Sequence, residues 1–230
     1  MAAAAGLAYL LGSIPTAYIA ARTQGVNIFK TGSGQAGSTN LWREVSKPLA
    51  AAVFIIDSLR GLAALLAARA LGLHSEFLII PAVASVLAAW NSPWVKFRGG
   101  DGVALLTGIG IGYSPAALAV PYAIAAAIML GWNKRFKHPT LWGALGGYIT
   151  YLVISFIPEA RLTVAETMGF TGLGFAIMVH SYVYKRRRKG KLAGALIEAV
   201  QEADIDMPVT ASAMSGGSEA PDPAFQERRT

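Results

Sequence analysis

Two short stretches of this chain carry residues whose types and spacing suit the binding of an anion. The first reads Lys30-Thr-Gly-Ser-Gly-Gln-Ala-Gly-Ser-Thr-Asn-Leu-Trp-Arg43. Its glycines, Gly32, Gly34 and Gly37, leave the backbone free to turn N–H groups onto one point. Ser33, Ser38, Thr39 and Asn40 add short polar groups, and Arg43 adds a guanidinium shaped for phosphate. The segment leads into a helix, whose N-terminus is a further anion site. No Gly-Lys-Ser/Thr follows, which excludes a Walker loop. The plain alternative is a flexible polar linker. The second stretch, Lys96-Phe-Arg-Gly-Gly-Asp-Gly-Val103, repeats the logic. Two cations, Lys96 and Arg98, and three glycines, Gly99, Gly100 and Gly102, precede a helix, with Asp101 placed as an ordinary cap. His180 lies one turn before the basic run Lys185–Lys189, where it can face both loops. The run itself reads as attraction to anionic lipid.

The elements that must position these loops are membrane helices. Of the 230 residues 54% are hydrophobic and 14% charged, against ~25% charged in soluble domains, and the mean hydropathy is +0.46. The absence of cysteine excludes disulfides, thiolate metal sites and a cysteine nucleophile. The three histidines, His74, His138 and His180, are dispersed and form no metal constellation, and no cofactor is expected. The net charge of +7 is spread between apolar runs and does not call for nucleic acid.

Seven segments suit a bilayer: 2–21, 49–72, 77–95, 103–113, 115–132, 140–157 and 164–184. The fourth and fifth form two short spans if the chain reverses at Gly112–Pro115. Seven crossings place fifteen basic loop residues on one side and one, Arg161, on the other. The positive-inside rule then puts the N-terminus outside and the C-terminus in the cytoplasm. The expected fold is an all-α integral membrane bundle of seven transmembrane helices, comprising a membrane domain over 1–202 and a disordered cytoplasmic tail over 203–230. Glycines within the spans, such as Gly108, Gly110, Gly143 and Gly146, read as helix packing. Asp57 and Arg60, three apart inside the second span, are spaced to pair, either for function or for structure.

At these residues the chain resembles the bacterial acyl-phosphate:glycerol-3-phosphate acyltransferases, the PlsY family, from Gly12 to about Gly190. Gly12-Ser-Ile-Pro15 is similar to the start of that family's first helix. Gly32-Ser-Gly-Gln-Ala-Gly-Ser-Thr-Asn40 with Arg43 resembles its GSGNxGATN…R loop, and Asp57-Ser-Leu-Arg-Gly61 its DxxKG. Phe97-Arg-Gly-Gly-Asp-Gly-Val-Ala104 resembles its FKGGKGVA, and His180, Arg186 and Gly190 match the spacing of HxxNIxRLxxG. The chain departs from the pattern at Asp101, where the family has Lys, at Val183, where it has Asn, and before Pro93, where a His is missing.

The resemblance implies transfer of a fatty acyl group from acyl phosphate to the 1-hydroxyl of glycerol 3-phosphate, giving lysophosphatidic acid and phosphate. It implies a site at the cytoplasmic face of a bacterial inner membrane, among membrane lipids. Ser33, Arg43 and His180 become the expected catalytic residues. Gly32, Gly34, Gly37, Ser38, Thr39, Asn40, Lys96, Arg98, Gly99 and Gly100 become the expected substrate contacts. Asp101 and Val183 leave a second reading, a homologue without catalysis that binds lipid or a partner protein.

Overall fold

The computed structural model describes residues 1–131, 139–157 and 164–205. All regular structure among them is helical. The helices are α1 (Ala2–Ser13), α2 (Thr16–Thr23), α3 (Ser38–Glu44), α4 (Lys47–Ala70), α5 (Ile79–Trp90), α6 (Val103–Tyr113), α7 (Pro115–Gly131), α8 (Pro139–Ser155) and α9 (Val164–Ile205). The chain divides into two compact units, Met1–Arg188 and Lys189–Thr230. In the second, helix α9 continues to Ile205, past the expected start of the tail at 203, with Leu192, Leu196 and Ile197 exposed. The rest of the expected tail, His138 and Arg161 lie outside the described residues.

Polarity is arranged for lipid. The interior of the first unit is rich in small residues, with Ala4, Ala8, Ala64, Ala68, Ala82 and Ala88 buried. Large apolar side chains such as Phe54, Ile55, Leu59, Val83, Leu87 and Phe175 face outward. Small residues let backbones meet where lipid provides no hydrophobic drive. A Cβ on Gly108 would overlap the Ser58 carbonyl, and one on Gly61 would overlap that of Leu105, so α4 and α6 touch backbone to backbone. Gly12 meets the Ser85 carbonyl in the same way and joins α1 to α5.

Three segments among the described residues are long and apolar enough to cross a membrane: Ala2–Thr23, Lys47–Ala70 and Ser75–Val95. The first is not one helix, as its sequence suggests. Pro15 has no N–H to donate and drives Ile14 into extended geometry (φ −62°, ψ 120°), which separates α1 from α2. Helix α6 is only 11 residues, about 16 Å, roughly half the hydrocarbon thickness. The chain does reverse after it. Tyr122 of α7 donates to the Leu106 carbonyl at 3.3 Å, whereas in a continuous helix these residues would stand about 24 Å apart.

Candidate active site

The break in the first span has a consequence for Asp57 and Arg60. Ending α1 at Ser13 frees carbonyls that the next turn would have bonded. Arg60 reaches across from α4 and fills that need, donating from Nε and Nη2 to the Leu11 oxygen (2.8 and 2.6 Å) and from Nη2 to that of Gly12 (2.8 Å). Its Nη1 pairs with Asp57 at 2.5 Å and bonds the Thr16 hydroxyl at 3.2 Å, and Thr16 in turn donates to Asp57. Both charged side chains are largely buried. Of the two roles open to this pair from sequence, the structure shows the architectural one, and it also places both residues on the wall of a small cavity.

The two glycine loops form another part of that wall. Ala36 N–H donates to the Gly99 carbonyl at 3.1 Å, and Gly100 N–H donates to that of Ala89 at 3.1 Å. The second loop is thereby held between the first loop and the end of α5. No side chain fits there: a Cβ on Gly99 would overlap the Ala89 carbonyl, and one on Gly100 would stand 2.5 Å from that of Ala36. Gly37, Ser38, Gly99, Gly100, Asp101 and Gly102 line the cavity. Helix α3 starts at Ser38, and the N–H groups of a first helical turn have no partner inside the helix. Those of Asn40 and Leu41 bond the Gly37 carbonyl at 3.1 Å.

The expected site residues separate into distinct positions. Asn40 does not face the cavity. Its Nδ2 donates to the Ile28, Thr31 and Gln35 carbonyls and its Oδ1 accepts from Ser33 N–H, so it shapes the first loop from within. Ser33 sits in the segment so held, and its Oγ lies 3.5 Å from Gln35 N. Gly32 and Gly34 adopt positive φ, whereas Gly37 is extended and gives room to the Asp101 carboxylate, 3.4 Å from where its Cβ would be. Arg98 lies over the Phe29 ring at 5.8 Å and ties the rims of the loops together. Arg43, Thr39 and Lys96 are exposed and do not line the cavity. His180 stacks on Trp90 with centroids 4.2 Å apart, and its buried Nδ1 has no hydrogen-bond partner. Trp90 Nε1 donates to the Asp101 carbonyl at 2.9 Å, which sets His180 in register with the second loop.

Several features here escape a reading of the sequence. Lys96 and Phe97 take left-handed backbone (φ 59° and 56°), a conformation costly for non-glycine residues and concentrated at functional sites. Trp90 has no motif to mark it. Tyr184 and Arg188, inside a run that reads as lipid attraction, bond the first loop instead.

A second feature adjoins the first. Between α5 and α9 runs an apolar groove of ≈ 310 Å³. Ile79, Val83, Val86, Leu87 and Trp90 form one side, and Met168, Gly169, Gly172, Leu173 and Ala176 form the other, each at helical spacing. The groove ends at Trp90, the residue that also holds the second loop and His180.

A family model described as glycerol-3-phosphate acyltransferase matches residues 2–194. Glycerol-3-phosphate acyltransferase 1 of Deinococcus radiodurans is 38% identical over 153 residues, 66% of this chain and 75% of that protein. The Geobacter sulfurreducens glycerol-3-phosphate acyltransferase is 30% identical over 184 residues, 80% of this chain and 92% of its own length. The crystal structure of PlsY (YgiH), an integral membrane glycerol 3-phosphate acyltransferase in its glycerol 3-phosphate form, superposes with a TM-score of 0.65 at 27% identity, covering 84% of this chain and 91% of that one. Matched by the family model and by these relatives over most of its length, the chain belongs to the glycerol-3-phosphate acyltransferase family.

Proposed function

We propose that this protein transfers a fatty acyl group from acyl phosphate to the 1-hydroxyl of glycerol 3-phosphate, releasing lysophosphatidic acid and inorganic phosphate for phospholipid synthesis. The observation that carries this reading is the position of Trp90, which ends an apolar groove and is hydrogen-bonded to a glycine loop. A donor with a phosphate head and a fatty chain fits that junction. The hydroxyl oxygen forms the new ester bond to the acyl carbon while the bond from that carbon to the phosphate oxygen breaks. The hydroxyl proton leaves with phosphate or solvent. Because phosphate is already a good leaving group, alignment and charge stabilisation account for the catalysis required of the protein. In this reading Ser33, Arg43 and His180 touch the reacting groups. Gly32, Gly34, Gly37, Ser38, Thr39, Lys96, Arg98, Gly99 and Gly100 hold the phosphates, with Asn40 shaping the loop around them.

The same reading places seven crossings in a bacterial cell membrane, N-terminus outside, with both loops at the cytoplasmic face. The bias of basic residues supports it. So does the burial of most of α6, since a short segment is tolerated at membrane depth when protein covers it. The test is purified protein with acyl phosphate and radiolabelled glycerol 3-phosphate, scored for lysophosphatidic acid. Acyl-CoA and acyl carrier protein serve as donor controls, and reporters at both termini fix the topology. Product from acyl-CoA alone, or two termini on one side, would overturn the corresponding part.

Asp101 provides a finer test. Its Oδ1 accepts from Val103 N–H at 3.2 Å at the start of α6, while its carboxylate stands beside Gly37 on the cavity wall. A negative charge about 4 Å from a bound phosphate costs about 1 kcal/mol at water-like dielectric, roughly fivefold in affinity. Asp101→Asn keeps the acceptor and removes the charge. The KM for glycerol 3-phosphate is expected to fall about fivefold, measured in low salt; an unchanged KM means the carboxylate does not meet the phosphate.

A further inference from the structure

We infer that Tyr184 and Arg188 are positioning residues for the first glycine loop, and that α9 serves as a strut fixing this loop against its surroundings. The inference rests on the proposed function for its kinetic consequence, although the contact is independent of it. Tyr184 Oη donates to the Gly34 carbonyl at 2.8 Å, and Arg188 Nη1 donates to the Phe29 carbonyl at 3.0 Å. These two carbonyls bracket the segment Lys30–Ser33. The segment is pinned at its ends by α9 and in its middle by Asn40.

The fit at Gly34 is tight. The Arg188 guanidinium is laid against the Gly34 Cα, where a Cβ would have to displace it, and φ is +72°, a turn conformation that favours glycine. The neighbours of Arg188 behave differently: Lys185, Arg186, Arg187 and Lys189 are exposed. The run is thus split. Four of its residues suit anionic headgroups, and the fifth is turned inward.

Position along α9 strengthens the inference. His180, Tyr184 and Arg188 are four apart and share one helix face. The His180 and Tyr184 rings lie 6.3 Å apart, and His180 stacks on Trp90, which holds the second loop. One stripe of α9 therefore engages the first loop directly and the second through Trp90. A shift of α9 changes the spacing of the two loops, and with it the distance between groups held on each.

Hydrogen–deuterium exchange and steady-state kinetics on the full chain in detergent test this. Tyr184→Phe removes one oxygen; Arg188→Ala removes the guanidinium; Arg187→Ala is the exposed control. Loss of a hydrogen bond of ordinary strength predicts a rise in the KM for glycerol 3-phosphate of about fivefold for either variant, with kcat within about twofold. Amide exchange is expected to quicken between residues 29 and 37 and nowhere else. Arg188→Lys is expected to recover part of the effect. Unchanged exchange in the loop overturns the inference whatever the activity does. So does a uniform rise in exchange with kcat and KM altered together, since that is general destabilisation. Should Arg188→Ala not fold, Tyr184→Phe decides alone. A wild type without acyltransferase activity would sink the proposed function, and the exchange data would still decide the strut.

Discussion

Arg60→Ala is expected to destabilise the protein by about 3–5 kcal/mol, the loss typical of breaking a buried ion pair by removing one partner. For a chain of this size that lowers the thermal midpoint by about 6–20 °C. Two separate losses combine. Asp57 is left as a buried carboxylate with only Thr16 to stabilise it, and the Leu11 and Gly12 carbonyls, set free by the break at Pro15, lose their donors. Arg60→Lys keeps a charge but cannot place several N–H groups at fixed angles on Leu11, Gly12, Thr16 and Asp57, so it recovers only part of the loss. Thermal unfolding of the detergent-solubilised variants decides the matter; a midpoint equal to wild type would show that water replaces the guanidinium at the helix break.

Gly99→Ala is expected to lower kcat/KM for glycerol 3-phosphate by about 100-fold or more with helix content preserved. The added methyl would occupy the place of the Ala89 carbonyl oxygen, so the second loop must retreat from α5, from the first loop, or from both. Displacement of reacting groups by about 1 Å is enough for a loss of that order. Gly100→Ala presses on the Ala36 carbonyl and is expected to act in the same direction. Gly6→Ala is the control, because nothing stands within 4 Å of a Cβ at that position. Turnover by Gly99→Ala at the wild-type rate would separate the loop contact from the chemistry.

What the sequence makes legible is what local pattern encodes. Apolar runs mark the helices, Gly-Tyr-Ser-Pro marks the reversal between α6 and α7, and a spacing of three brings Asp57 to Arg60. The charge bias of the sequence predicts both glycine loops on one membrane face, and in the structure Ala36 of the first bonds Gly99 of the second. Contacts between distant segments leave no such mark. Arg188 meets Phe29 across 159 positions, and within Tyr-Lys-Arg-Arg-Arg-Lys nothing distinguishes the inward arginine from its neighbours. Asn40 has the chemistry of a ligand residue but serves the loop's own carbonyls, adding a donor to those of Ile28 and Thr31, which also accept from backbone N–H groups, and one to that of Gln35. The left-handed pair Lys96 and Phe97 contradicts local preference, so only the surrounding fold explains it.

The groove between α5 and α9 has its outer margin at Met168, Val83 and Leu87, all exposed where lipid would lie. On the proposed reading, donor and product exchange sideways through that margin, and neither fatty chain is ever solvated. The donor concentration that governs turnover is then its mole fraction in the bilayer, with the water-borne acceptor alone counted per litre. Adding inert phospholipid would slow the reaction by surface dilution at constant total substrate, so the enzyme responds to how crowded the membrane is with its donor.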